Sequence, residues 1–565
     1  MNAIVSSNLR KLVNWIILLS FLFLVSCRTN KKQQRPNILF VLTDDQGYGD
    51  FSCFGNTIIN TPNLDSLYKE SICFTHCIMN TVCAPTRACL MTGRYNYRMG
   101  VWDTWHGGVN MRTEEVTIAE ALNDAGYHTG MFGKWHLGYD YPFRPIDQGF
   151  TETFEWDVFH DGNWGSRVDP YMKRNGEPGI QHQGFLTDLI IDNAIDYIES
   201  QSKNEQPFFA YVATFLPHIW GGVQVPDEYI EPFRKNDTLI GYNQEIYAMV
   251  EKADEGIGRL LKRLEELGLE ENTVVVFTSD NGPQIWRQPR HNIGLRGSKT
   301  TSYEGGIRLP CFFRWPGHFE AGKQIDQMVA HVDFFPTILD ICGVPLPQGI
   351  NFDGKSFLPL LMEDDAKMQE RYIKGQFHRD IYNEKNQIFQ NSFIRSEKYK
   401  LVNGNELFRI DKDPYEENNI APYNLEKVEE LRALYKEWFE DVTSETGFIT
   451  APVIIGTPHQ DEFTLNNIHK PPKGWPVRFL SKGPYKITVG GLSDNISPGE
   501  YNLAVKFNDR TIKETIIGNQ DDIVFNEVVV SPGDYLLTIE IKENESGRTM
   551  DDPGYTMVRI KKMFE

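Results

Sequence analysis

The chain has 565 residues, 40% apolar and 24% charged, a mix that excludes a disordered chain, a collagen-like rod and a coiled coil. That length exceeds one ordinary hydrophobic core, so one large domain with smaller ones attached is expected. Lysine and arginine number 57 against 77 acidic residues, a formal charge of −20. Such a surface repels nucleic acid, and it admits an anionic substrate only where basic residues are concentrated in one pocket.

At the N-terminus Arg10 and Lys11 precede an apolar run from Trp15 to Val25. The run is shorter than the roughly 20 residues that cross a bilayer as a helix. A positive flank, a short apolar core and a small residue predict a secretory signal over residues 1–27. A buried core helix is the competing reading, and nothing globular precedes the run to support it. Leu24-Val25-Ser26-Cys27 resembles a bacterial lipobox. The resemblance implies lipidation of Cys27, a polar tether over 28–35, and an exported lipoprotein in the periplasm, at the outer membrane or at the cell surface.

From residue 36 to about 350, short apolar runs alternate with helix-period segments. Residues 37–43, 127–132, 208–213 and 273–278 read as strands buried on both faces, and 118–125, 186–200 and 243–267 as helices. This alternation predicts an α/β domain with a large, mostly parallel sheet sandwiched by helices. Over 351–448 the pattern changes to strand-like pieces at 387–394, 399–402 and 406–410 before an amphipathic helix at 425–442, a smaller α+β subdomain with an antiparallel sheet. Residues 449–565 carry period-2 runs separated by turns, with Ser-Pro-Gly at 497–499 and 531–533, and read as an accessory antiparallel β module. The eight cysteines do not make a disulfide scaffold for so long a chain, although an oxidising compartment permits one or two bridges. None has CxxC spacing, which argues against structural zinc. Cys73 and Cys77, four apart, could share a helix face as small buried apolar residues.

Ligands of an open parallel sheet bind beyond the carboxyl ends of its strands. Here those ends read Asp44-Asp45, Lys134-Trp135-His136, Pro217-His218 and Asp280-Asn281. Asp44, Asp45, Asp280 and Asn281 offer hard oxygen donors, which suit calcium or magnesium and not zinc. Asp45, followed by Gly47 and Gly49, also reads as a turn residue. The segment Cys83-Ala84-Pro85-Thr86-Arg87 predicts a helix that starts at Cys83, because proline suits a first turn. Its positive dipole end favours an anionic nucleophile, and Arg87 lies one turn on, on the same side.

Cys83-x-Pro85-x-Arg87 with Thr92-Gly93-Arg94 resembles the signature of the type I sulfatases of the alkaline-phosphatase-like superfamily. The likeness runs in order over residues 36 to about 440. It takes in 44–50, 133–138, Pro217-His218, Asp280-Asn281-Gly282, 295–299, Tyr303-Glu304-Gly305-Gly306 and Asp413-Pro414-Tyr415-Glu416. Ser298-Lys299-Thr300 departs from the Gly-Lys-Gly common among relatives, which leaves the reach of Lys299 to the loop conformation.

The resemblance implies that a formylglycine-generating maturation enzyme oxidises Cys83 to formylglycine. It implies one calcium ion on Asp44, Asp45, Asp280, Asn281 and residue 83, and a hydrated aldehyde as nucleophile. Arg87 would stabilise the hydrate's charge, Lys134 and Lys299 would bind sulfate oxygens, His218 with Lys299 would protonate the leaving oxygen, and His136 would serve as base in the step that expels sulfate. Outside this subsite, loops rich in Trp, His and Arg (102–106, 159–164, 219–220 and 286–292) offer stacking faces and hydrogen bonds. Among them His160, Trp220, Arg287 and His291 are expected to contact a sulfated carbohydrate. The rival readings are a phosphatase or phosphonate monoester hydrolase on the same scaffold, and an inactive glycan-binding lipoprotein.

Overall fold

The computed structural model describes residues 35–563 apart from 106–107, 158–165, 220–224, 237–238, 240–241, 286–289, 378–387, 446–447, 458–461, 467–473, 491, 493–499, 518–521 and 545–556. The signal and Cys27, and the expected glycan contacts His160, Trp220 and Arg287, lie outside the described residues. Among the described residues no helix is long and apolar enough to cross a membrane.

The large sheet is built from β1 (Asn37–Thr43), β2 (Ile72–Ile78), β3 (His128–Gly133), β4 (Glu152–Trp156), β5 (Tyr171–Arg174), β6 (Ile180–Gln181), β7 (Phe208–Ala213), β8 (Thr273–Ser279), β9 (Arg308–Arg314), β10 (Gln324–Ile325) and β11 (Val329–Ala330). Its order is β10-β2-β9-β8-β1-β7-β3-β4-β5-β6, with β11 also on β2. The run β8-β1-β7-β3-β4 is parallel, whereas β9 is antiparallel to both β8 and β2, and β5 is antiparallel to β4.

β1 shows why the parallel run reads as unbroken hydrophobicity. Ile38, Phe40 and Leu42 point into one core and Leu39 and Val41 into the other, all buried. Helices cover both faces. On one, Leu186–Gln201 lays Leu186, Ile190, Ala194, Tyr197 and Ile198 against the sheet. On the other, Ile118–Asp124 starts at Thr117, whose hydroxyl and the Glu120 carboxylate form a capping box.

Cys73 and Cys77 sit on strand β2, not on a helix. Residues four apart on a regular strand share a face. Here the register against β9 shifts between Phe74 and Cys77, and the two thiols enter opposite cores. Every described cysteine is free.

A second, four-stranded antiparallel sheet takes Ile373–Gln376, Ser392–Arg395, Tyr399–Val402 and Glu406–Arg409, with the helix Leu425–Ser444 beside it. The strand expected over 387–394 is confined to Ser392–Arg395. Beyond residue 450, a five-stranded and a four-stranded sheet enclose one apolar core that includes Phe463, Val477, Ile487, Leu503 and Val558. Nearly all of their pairings are antiparallel; Val453–Ile455 pairs in parallel with Trp475–Phe479.

Candidate active site

The carboxyl ends of β8, β1, β7 and β3 lie side by side, so the residues that follow each strand share one rim. Asp44 and Asp45 leave β1, with Asp45 in the left-handed region at φ +66. Asp280 and Asn281 leave β8, and the Asp45 amide donates to Asp280 Oδ1 at 3.2 Å. Lys134 and His136 follow Gly133, whose φ of +109 and tight approach leave no room for a side chain: a Cβ there would lie 2.0 Å from the Ala213 carbonyl. Cys83 opens the helix Cys83–Thr92 beside Asp44 and Asp280, which puts the positive end of that helix at the rim; its first turn has no side-chain cap.

The charges pair tightly. Lys134 Nζ donates to Asp44 Oδ2 at 2.6 Å. Lys299 Nζ reaches both carboxylate oxygens of Asp45, at 2.7 and 2.8 Å. Arg87 donates to Asp280 Oδ2 from Nε at 3.0 Å and Nη2 at 2.7 Å, while its Nη1 donates to the Lys134 carbonyl at 2.7 Å. Asn281 Nδ2 donates to Asp45 Oδ1 at 2.7 Å. His218 Nε2 stands 3.8 Å from Asp45 Oδ2. Cys83 Sγ lies 3.3 Å from His136 Nδ1, and His136 Nε2 lies 3.1 Å from the Thr104 carbonyl. A carbonyl only accepts, so Nε2 carries the ring hydrogen and Nδ1 presents its lone pair to residue 83.

Burial governs the protonation states. It pushes the Asp280 carboxyl up to about 7, with the charge of Asp44 adding to it and Arg87 pulling against it. Burial would also raise Asp44, but the charges of Lys134, Arg87 and Lys299 outweigh it and hold that carboxyl well below the usual range. Burial depresses His136 and His218, which keeps both rings neutral. Lys299 stays charged: burial works against the ammonium, but Asp45 and its neighbours outweigh it. Burial raises the Cys83 thiol, so the unmodified side chain is a thiol and a poor nucleophile.

The donor set fits a hard divalent cation. Ligand atoms of Asp44, Cys83 and Asp280 lie within 4.8 Å of one another, as do those of Asp44, Asp45 and His218. Asp44 Oδ1 and Asn281 Oδ1 are buried with no hydrogen-bond partner, an arrangement that costs free energy unless something positive faces them. Oxygen donors select calcium or magnesium. Three carboxylates already face three fixed cations, so a bound divalent ion would leave the pocket positive on an otherwise acidic surface.

Of the expected glycan contacts, His291 is described: its ring is half-buried, and Nδ1 has no hydrogen-bond partner. Trp102, in one of the aromatic loops, is fully buried against Phe448 and is not a stacking platform. Two supports come from residues far apart along the chain, one of them from the loop 286–292 expected to contact glycan. Buried Arg167 donates to the His218 carbonyl at 2.7 Å across 51 positions. Arg290 forks onto Asp50, at 2.9 and 2.6 Å, and so braces the loop after Asp45.

Residues 36–344 match the family model described as sulfatase, and residues 298–445 match one described as N-sulphoglucosamine sulphohydrolase, C-terminal. The N-acetylgalactosamine-6-sulfatase of Rattus norvegicus is 33% identical over 358 residues, 58% of this chain. The chain spans about two thirds of that relative's length, 66%. The N-acetylglucosamine-6-O-sulfatase of Bacteroides thetaiotaomicron is 29% identical over 526 residues, covering 74% of this chain and 89% of that protein. Among solved structures, Ps i-CgsB in complex with k-i-k-neocarrahexaose aligns with a TM-score of 0.65 at 26% identity, over 74% of this chain and 95% of that one.

Proposed function

The chain belongs to the sulfatase family, with its alkaline-phosphatase-like fold, and from that membership we propose that it hydrolyses sulfate esters of a sulfated poly- or oligosaccharide. The observation that carries the reading is the meeting of Cys83, three carboxylates, Lys134 and Lys299 at one buried rim. Relatives that act on N-acetylgalactosamine and N-acetylglucosamine sulfates support a sugar substrate. The N-terminal segment supports export with a lipid anchor at Cys27.

Asp44, Asp45, Asp280 and Asn281 would hold one calcium ion, which when bound supplies charge that neutralises sulfate oxygens and acidifies a neighbouring hydroxyl. Conversion of Cys83 to formylglycine would supply a hydrated aldehyde, an oxygen nucleophile in place of a buried thiol. The rest falls to the chain's own side chains. Lys134 and Lys299 turn from Asp44 and Asp45 towards the sulfate oxygens, where negative charge grows during transfer. Arg87, locked on Asp280, holds the helix start in register with the cation ligands. His218, 3.8 Å from Asp45, together with Lys299 would deliver a proton to the departing sugar oxygen. His136, neutral and with Nδ1 facing residue 83, accepts a proton when sulfate is expelled.

The test is sulfate release from defined sulfated oligosaccharides, together with the mass of the peptide that spans Cys83. Sulfate release, its loss on chelation and return with calcium, and an aldehyde at residue 83 are the expected results. Phosphate release without sulfate release would give the chain to the phosphatase reading. An unmodified thiol with glycan binding alone would make it a binding lipoprotein.

A further inference from the structure

The loop that carries Lys299 is anchored through consecutive peptide groups by three different parts of the molecule. The Lys299 amide donates to the Pro283 carbonyl at 3.0 Å, just beyond Asp280-Asn281-Gly282. The Thr300 amide donates to the Thr81 carbonyl at 2.8 Å, two residues before Cys83. The third anchor comes from outside the large sheet. Asn391, which leads into the strand Ser392–Arg395 of the second sheet, donates from Nδ2 to the Thr300 carbonyl at 2.5 Å. Ser302 Oγ ties back to Asn391, 2.7 Å from its carbonyl and 3.2 Å from its Oδ1.

Between these anchors Thr300 adopts φ +69, a conformation that a β-branched residue avoids. Its side chain is exposed, so the conformation is imposed by the hydrogen bonds on either side and not by packing. Loss of the Asn391 bond would leave the Thr300 carbonyl without its anchor and remove one of the three restraints that hold Thr300 at positive φ beside Lys299.

We propose that Asn391 is a positioning residue for Lys299: by bonding to Thr300 it aims the Lys299 ammonium into the site from the second sheet. The inference rests on the reading of Lys299 as a group that binds sulfate and donates a proton. Asn391 itself sits at φ +47, which asparagine and glycine both tolerate. Asn391→Gly therefore keeps the backbone and removes the amide. Asn391→Asp keeps the shape and turns the donor into an oxygen that repels the Thr300 carbonyl.

The experiment measures kcat and KM of the matured, calcium-loaded full chain on a defined sulfated oligosaccharide from which the parent releases sulfate, because its sugar leaving group needs the proton that an aryl leaving group does not. Each Asn391 variant is expected to lose about tenfold in kcat/KM, the scale of a small misplacement of a reacting group. Thr300→Gly added to Asn391→Gly is expected to return activity to within about threefold of the parent, because glycine takes positive φ freely. In a Lys299→Ala background, Asn391→Gly is expected to cost less than about twofold, since the two residues act as one unit. Parent activity in both Asn391 variants, failure of the Thr300→Gly rescue, or losses that multiply with Lys299→Ala would overturn the proposal and leave the role of Lys299 standing. Parent activity in Lys299→Ala would remove that role and the proposal with it.

Discussion

The rim of the large sheet and the C-terminal β sandwich spend their burial on opposite things. At the rim Asp44, Asp45, Arg87, Asp280 and Asn281 are wholly inaccessible and Lys134 nearly so. The sandwich core is built from residues such as Ile487, Leu503, Val505 and Ile560, and among the described residues beyond 450 no Asp, Glu, Lys or Arg is buried. Its charges stay on the outer faces, as in the pair Arg478–Asp534, whose side chains are 48% and 65% exposed. Buried ions cost desolvation free energy, and a buried pair is weak evidence for stability. A region that tolerates so many is organised for charge to appear there, whereas the described sandwich core is packed from apolar side chains.

Substitutions sharpen this contrast, and the largest effect belongs at the rim. Cys83→Ala should abolish sulfate release, by more than about a thousandfold, with little change in the thermal midpoint. Steady-state assays beside a melting curve check both halves; a midpoint that collapses with the activity would make Cys83 a packing residue. Arg87→Ala should remove activity and also destabilise by about 3–5 kcal/mol, because Asp280 is left buried beside Asp44 without its partner. Denaturant unfolding reads that cost, and a loss of under about 1 kcal/mol would mean the pair is not sealed from water. In the sandwich Leu503→Ala should cost about 2–5 kcal/mol through cavity formation. Its kcat/KM per folded molecule should stay within about twofold of the parent; a larger fall would couple the two regions. Smallest of all, Arg478→Ala should shift unfolding by less than about 1 kcal/mol, since both partners are exposed and screened.

Much of this arrangement is legible without coordinates. A run such as Ile38–Leu42 has no polar face, so it belongs inside a covered parallel sheet, and whatever follows it must stand at the sheet's edge. That reasoning places Asp44, Lys134, His218 and Asp280 at one rim from strand ends alone. It fails for Cys73 and Cys77, expected on one helix face: both sit on strand β2, where a register shift sends the two thiols into opposite cores. It fails for Trp102 too: a loop aromatic reads as a binding surface until the Phe448 that covers it is known.

The order of motifs and the alternation of strands and helices determined by themselves the family and the class of fold, since each is written in local pattern, and the strand ends named the side chains of the rim. Which cation faces which carboxylate was decided by tertiary structure: Lys134 with Asp44, Lys299 with Asp45 and Arg87 with Asp280 are pairings across 90 or more positions. The same holds for Asn391 on Thr300 and Arg167 on His218. Such contacts are formed within a few ångströms by segments far apart along the chain, and local pattern carries no record of which long side chain reaches which oxygen.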